Sequence, residues 1–462
     1  MTLVRRLSQT TLHTTLAVAV GVTAGYAQAS GFALNEQGAS NMGVANAGAV
    51  ANPENASIAF FNPAGMTRLE GTHVSFGAAV LNINTDFSGS ATGIGGAPVE
   101  GNNGGEFVPT AVLPHLYITH RLRDEVAIGL SLHAPYGLKA DYDDDFVGRF
   151  FADKTELEVI ALSPAIGFDD GNGFSMGVSA NLLYAKGRLS KFQDFTALGV
   201  SEPGYFDIEG DDLAVTFTFG LMYSPNERWD LGMTYRTGTE IKLEGDAVMT
   251  NAPQFNLQNG TVSGTATLTE KGMVPLEIPE SLSFGARFRP TGQVTLLAGA
   301  TWTRWSRFEA LDILSTQSNA GTPNETISFL GARSFGQDGM IGHVSQNWKN
   351  TWAGSVGAVW QVTPAAALKL GYGYQRSPIN PDFRTARIPS DDRQWLALGG
   401  QFHERRSGWT LDAAVGYFLM DKVDVAEQEY DVNDQPLNNG ASLNGTYDID
   451  AWTAALQLSK QF

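Results

Sequence analysis

The chain has 462 residues, no cysteine and a formal net charge of −18, with 17% charged and 10% aromatic residues. This balance excludes a nucleic-acid partner, which needs a basic surface, and a secreted scaffold braced by disulfides. Past the first thirty residues no apolar run approaches the roughly 18 residues of a transmembrane helix, so a membrane role has to rest on strands.

Residues 1–29 read as a secretory signal peptide. Arg5 and Arg6 precede the apolar run "LAVAVGVTAG", and Ala27-Gln28-Ala29 supplies the small residues of a cleavage site. The arginine pair also suits a twin-arginine leader, but its flanking residues are weak and that route requires folding before export. Cleavage after Ala29 leaves 433 residues beginning at Ser30 and, with two arginines gone, a net charge of −20.

Residues 30–70 are too short for a domain and lack strand periodicity. They are rich in Ala, Gly and Asn and contain two Asn-Pro pairs, Asn52-Pro53 and Asn62-Pro63. Asn as N-cap with Pro at the first helical position starts short helices. A segment that cannot fold alone, placed ahead of a barrel, belongs in its lumen.

From residue 71 to 462 period-two alternation dominates. In "LAVTFTFGLMY", Leu213, Val215, Phe217, Phe219, Leu221 and Tyr223 share one face, and small or polar residues share the other. Such runs reach ten residues or more, the length of a tilted membrane strand, and aromatics end their apolar faces as in interfacial belts. Trp302, Trp305 and Phe308 read as part of such a belt.

Strand starts fall near Thr72, Leu113, Glu125, Glu156, Phe174, Asp211, Arg228, Glu280, Val294, Asn350, Ala365, Arg393, Gly408 and Ile449. Six short connections alternate with long ones, as in an outer-membrane barrel with periplasmic turns and external loops. The fold class is therefore an all-β transmembrane antiparallel barrel of 14 strands with an N-terminal plug. Residues 238–279 read as one hairpin prolonging its neighbours; counted as strands they would make 16. The last strand, "WTAALQLSKQF", ends on Phe462, which resembles the terminal signal read by the barrel assembly machinery.

Several segments, in order, carry a family resemblance: "SGFALNEQGASNMGVANAG", the "NPAG" step, "HAPYGL", "PESLSFGARFRP", "LLAGATWTRWSRFEAL" and "IPSDDRQWLALG". Over nearly the whole mature chain the sequence resembles the FadL family of outer-membrane long-chain fatty acid transporters. The resemblance implies a hydrophobic ligand caught among the outer loops, an internal pocket, and lateral release gated by an N-terminal hatch. It implies hatch and gate roles for Asn62, Pro63 and Ala64, and for the mature start Ser30, Gly31 and Phe32. It also implies that the Asn-Pro-Ala step lies beside a kinked third strand that opens the wall. In that strand Gly129 and Pro135 are the two kink candidates.

A long acyl chain gains roughly 0.8 kcal/mol per methylene on leaving water, so an apolar groove suffices for capture. A carboxylate adds a need for a cation. Alternation points Arg236, Arg287, Lys369 and Arg393 into the lumen, the first and last towards the outer end. Of these, Arg236, Lys369 and Arg393 are the ligand-carboxylate candidates. The competing assignment pairs such cations with lumenal acids, for instance Asp230 or Asp412.

"DYDDDF", Asp141 to Phe146, matches no cation-loop spacing and reads as a solvated acidic loop. No nucleotide loop, His-Glu-x-x-His or catalytic Ser-His-Asp order stands out, so no cofactor, metal or enzymatic activity is expected. The expected partners are a long-chain fatty acid or another hydrophobic small molecule, together with outer-membrane lipid and lipopolysaccharide around a monomeric barrel. Three functions compete. A gated channel for fatty acids or aromatic hydrocarbons needs a plug, a general porin needs an open lumen, and a barrel enzyme needs a catalytic constellation.

Overall fold

The computed structural model describes residues 31–462. The expected leader and Ser30 lie outside the described residues. Fourteen antiparallel strands make the wall: β1 (Thr72–Thr92), β2 (Ala111–Arg123), β3 (Val126–Asp141), β4 (Lys154–Asp169), β5 (Phe174–Gln193), β6 (Gly204–Asn226) and β7 (Trp229–Arg236). They continue as β8 (Ser281–Phe288), β9 (Val294–Thr303), β10 (Thr351–Thr363), β11 (Ala366–Gln375), β12 (Arg393–Glu404), β13 (Trp409–Met420) and β14 (Ser442–Gln461). β1 closes on β14 from His73 opposite Gln461 to Thr92 opposite Ser442. Closure leaves no free sheet edge at this seam.

The count is fourteen because residues 239–255 and 262–278 pair with each other as one hairpin above its neighbours. Ser281 then resumes opposite Arg236. Several strands begin earlier than alternation indicated, β6 at Gly204 instead of Asp211 and β14 at Ser442 instead of Ile449. In these extensions the apolar face turns inward, with Phe206, Ile208, Leu443 and Tyr447 buried, and the outer face is polar, with cross-strand ion pairs such as Arg188–Asp207 at 2.8 Å and Lys186–Glu209 at 2.6 Å. The apolar face thus changes sides where the strand leaves the bilayer, and a short run with its apolar face inward does not read as a continuation of the lipid-facing stripe.

On the outside the apolar face is bare: Leu370 is 62% exposed and Leu456 61%, values suited to lipid contact. Trp302 belongs to this outer face, opposite Trp352. Trp305 and Phe308 do not: the chain leaves β9 at Thr303, and both side chains turn inward and are buried. Thr72 accepts a hydrogen bond from the Phe462 amide at 2.9 Å, so both barrel ends meet on the side of the short turns.

The lumen is filled by residues 31–70. Two one-turn helices, α1 (Ala39–Met42) and α2 (Ile58–Phe61), alternate with the 3₁₀ turns Ala49–Ala51 and Pro63–Arg68. Asn62 caps the last turn, accepting from the Ala64 amide at 3.1 Å with Pro63 at the first position, as an Asn-Pro start requires.

Candidate functional site

The hatch is seated on the wall by close backbone approach and by buried charge. The Asn62 amide donates to Val50 O at 2.7 Å within the hatch and to Leu221 O of β6 at 3.0 Å. Pro63 and Ala64 lie against cross-strand partners Gly167, Gly177 and Gly220 of β4–β6. A Cβ on Gly177 would stand 2.5 Å from Ala64 N, and one on Gly220 would overlap the Asn62 side chain. Only glycine lets the hatch backbone touch the wall here.

Charge adds two ties. Lys369, 1% exposed on β11, donates to Glu54 of the hatch and Asp412 of β13 at 3.0 Å each, and to Ser40 Oγ at 3.1 Å. Arg287 of β8 meets Asp230 of β7 at 2.7 Å and Asn52 of the hatch at 3.1 Å. Lys369 therefore has its charge fully engaged in holding the hatch, and as a ligand-carboxylate partner it is corrected: no hydrogen-bonding capacity is left over.

At the other end of the hatch, Phe32 sits in an aromatic cage. Its ring lies 4.8 Å from Trp305, 5.9 Å from Phe308 and from Trp348, and 6.0 Å from Tyr136. Gly31 precedes it at φ 65°, with no room for a Cβ beside the two tryptophans. Beside Phe32 opens a cavity of about 50 Å³ whose wall is almost entirely apolar, including Leu138, Leu157, Leu243 and Ile388. Two arginines border it: Arg188, which is held by both carboxylate oxygens of Asp207, and Arg387, from the loop between β11 and β12 that folds into the barrel mouth. The Arg387 guanidinium donates to Lys154 O, Thr155 Oγ1 and Ser190 O at 2.8–3.1 Å, all neutral acceptors, and burial pushes its pKa down.

A second cavity of about 220 Å³ lies above the hatch, lined by Phe60, Pro135, Tyr136 and Arg236 among others. Arg236 stacks 4.7 Å over Phe60, and Arg393 stacks 4.5 Å over Phe418 while donating to Gln375 at 2.6 Å. Among the described residues no carboxylate lies within ion-pair distance of Arg236, Arg387 or Arg393.

Among the described residues the ladder of the wall is interrupted between β2 and β3. β2 and β3 pair from Arg123 opposite Val126 up to Leu116 opposite Leu132, and then stop. Pairing returns only at Asp141 N, which donates to Phe107 O at 2.8 Å in the same register. Between these points residues 108–115 and 133–140 face each other across a window. Three of them, Pro109, Pro114 and Pro135, have no amide to give a ladder. The free edge of β3 is taken by the hatch instead: Leu34 N donates to Pro135 O at 3.0 Å and Gly137 N to Phe32 O at 2.9 Å.

Of the two kink candidates, the irregularity sits at Ala134-Pro135, where the β3–β4 register shifts between His133 and Tyr136. Gly129 is corrected: it stays in register with Thr119 and Ala165, and its missing side chain makes room for Met66 and Ala59 of the hatch. The place of Asn62-Pro63-Ala64 is corrected too. The step rests on β4–β6, and the hatch side chain against the window is Phe60, with its ring 4.4 Å from His133.

Sequence reasoning missed Arg387, because alternation says nothing about a loop, although its neighbours "IPSDDRQW" were part of the resemblance. It also missed that Asp312, His343 and Ser345 align, at 2.6 and 3.0 Å, outside the bilayer. The Ser345 hydroxyl donates to Asp434 at 2.6 Å, so its proton is turned away from the imidazole and the set ties loops together. The acidic run is likewise structural, with Asp141 paired to Lys154 at 2.9 Å.

The family model for outer membrane protein transport proteins (OMPP1/FadL/TodX) matches residues 20–462. A putative outer membrane protein of Neisseria meningitidis serogroup B is 28% identical over 84% of this chain and 86% of its own length. The long-chain fatty acid transport protein of Escherichia coli strain K12 is 24% identical over 92% of this chain and 96% of its own. Among solved structures, a Pseudomonas aeruginosa FadL homologue superposes with a TM-score of 0.81 at 22% identity, covering 93% of this chain and 99% of that one. The Ralstonia pickettii toluene transporter TbuX gives 0.66 at 17%, with the same coverage. A fourteen-stranded barrel filled by a capped hatch, with a family match across it from end to end, is an outer-membrane transport protein, and the chain belongs to the OMPP1/FadL/TodX family, whose members carry hydrophobic compounds.

Proposed function

We propose that this protein takes up long-chain fatty acids, passively and as a monomer, through the apolar cavity beside Phe32 and out through the window between β2 and β3. The observation that carries the reading is the pairing of that apolar cavity with Arg387, a buried cation whose acceptors are all neutral. An acyl chain gains roughly 0.8 kcal/mol per buried methylene, and a carboxylate reaching Arg387 adds the direct ion pair that Glu427 and Asp153, acting only at longer range, do not make. Arg236, beside the second cavity, is the next cation on the way to the window.

Movement of Phe32 out of its cage would join the two cavities, and movement of Phe60 would clear the window. The Asn62-Pro63-Ala64 step anchors the hatch while its first residues, Ser30 to Phe32, move. Assembly through the strand ending at Phe462 fits a barrel that surrounding lipid and lipopolysaccharide enclose. Oleate uptake into vesicles holding only this protein tests the reading, with Arg387→Met expected to weaken oleate binding about tenfold or more. Equal binding of oleate by wild type and R387M would remove Arg387 from it. A steady single-channel conductance in the wild type would favour a porin.

Toluene-sized hydrocarbons remain the second reading, favoured by the small amount of polar surface in the cavity beside Phe32. They require no cation, so R387M would leave their uptake unchanged.

A further inference from the structure

The lower corner of the window is made by two histidines. Leu116 opposite Leu132 is the last pair of the β2–β3 ladder, so the next facing positions are His115 and His133. Both alternate with lipid-facing neighbours, point inward and are 4% exposed. His133 Nδ1 has no hydrogen-bond partner, and neither ring nitrogen of His115 lies in a well-formed hydrogen bond. The Ser131 hydroxyl, two residues from His133, is unpaired as well, and Gln457 Oε1 on β14 approaches His115 without a well-formed hydrogen bond. Buried polar groups without partners are costly, and a group of them on the lip of an opening is a place where a polar ligand atom gains most.

The surroundings favour a passing ligand over a resident ion. Aromatic rings cover the pair, Phe60 at 4.4 Å from His133 and Tyr117 at 5.5 Å from His115. No third histidine or carboxylate joins them among the described residues. The larger cavity reaches the same lip through Phe60, Pro135 and Tyr136.

We infer that His115 and His133 form a headgroup site at the exit, receiving the carboxyl group of a long-chain acid as its tail turns through the window into the bilayer. Each neutral imidazole offers one N–H and one lone pair, which match the acceptor and donor of a carboxylic acid or, as two N–H groups, the oxygens of a carboxylate. A hydrocarbon offers neither, so the pair selects acids over hydrocarbons at the exit step. The inference rests on the window being the way out.

The test uses the full-length protein in vesicles, with an 18-carbon acid and an alkylbenzene of similar length as probes. In His115→Leu/His133→Leu the acid is expected to move about tenfold more slowly with alkylbenzene movement unchanged, and His115→Gln/His133→Gln to recover most of the acid rate. Unchanged acid movement overturns the headgroup site, and so does an equal fall for both probes without recovery by glutamine, which would assign the pair to packing. Wild-type vesicles no faster than empty ones for either probe would instead overturn the transport reading beneath it. Retained heat-modifiable migration shows that each variant still forms its barrel.

Discussion

The hatch meets the barrel in two different ways. Against β4–β8 and β11–β13 it is held by glycine-permitted backbone contact and by the ion networks around buried Lys369 and half-buried Arg287. Against β2 and β3 it is held by two backbone hydrogen bonds to the free edge of β3, by Gln37, which donates to Ala134 O and accepts from the Tyr117 hydroxyl at 2.7 Å each, and by the rings of Phe32 and Phe60. Contacts of the first kind are lost together or not at all, because each leaves a charge or a polar group stranded. Those of the second kind carry no charge, and a neutral hydrogen bond or a ring contact costs less to give up than a buried ion pair. The difference assigns anchoring to one side and motion to the other.

The largest effect is expected from closing the mobile side. Leu113 and Pro135 face each other in the register of the β2–β3 ladder, within the window. The chain has no cysteine of its own, so Leu113→Cys/Pro135→Cys introduces a single possible bridge. Oxidation is expected to abolish most oleate uptake and reduction to restore it, with thermal stability little changed. Full uptake by the oxidised protein would move the exit elsewhere.

Breaking the anchored side should show in stability. Lys369→Met leaves Glu54 and Asp412 buried without their cation, a loss of about 3–5 kcal/mol in hatch docking. It should appear as a lower unfolding temperature and as new ion conductance through a lumen the wild type keeps closed. Adding Glu54→Gln and Asp412→Asn should recover much of both. A smaller loss, about 1–3 kcal/mol, is expected of Gly177→Leu or of Pro63→Leu/Ala64→Leu, which overfill the same seat from opposite sides. Uptake should fall while the barrel still migrates as folded, and unchanged uptake would reduce the Asn-Pro-Ala step to a structural turn.

How much of this could be read in the sequence follows from which groups meet water. Lipid and lumen alternate along the wall, so strand number, turn sides and the plug were legible from residues such as Leu213 to Tyr223. Above the bilayer the apolar face turns inward and the polar face outward, so the strands there dropped out of the lipid-facing pattern. Lys369 could be placed in the lumen with Asp412 as a possible partner, but Glu54 could not be matched to it, because it lies more than three hundred positions away. The window was half legible. Pro135 interrupts a strand visibly, but its meaning depends on Pro109 and Pro114 across the gap, and on a register that no single strand encodes.

The smallest effect tests whether the loop bearing Arg387 belongs to the mobile or the anchored part. That loop is docked by the Ala386 amide, which donates to Glu427 Oε2 at 2.7 Å, on the arm Val423–Glu427 that extends β13 beyond the bilayer. Burial pushes the Glu427 carboxyl up to about 7 from its ordinary 4.5, against the opposing pull of the Ala386 amide, Arg387 and Lys191. A carboxyl raised in the docked state holds a proton there that the released state gives up. Docking is therefore tightest below about pH 4.5 and weakens as pH rises through about 7. Hydrogen exchange at the Ala386 amide, corrected for its intrinsic pH dependence, should accelerate across that window in the wild type. In Glu427→Gln, which keeps a neutral acceptor at every pH, the corrected rate should stay level. A level wild-type rate would place the loop with the anchored wall, leaving the hatch start as the moving part around the Phe32 cavity.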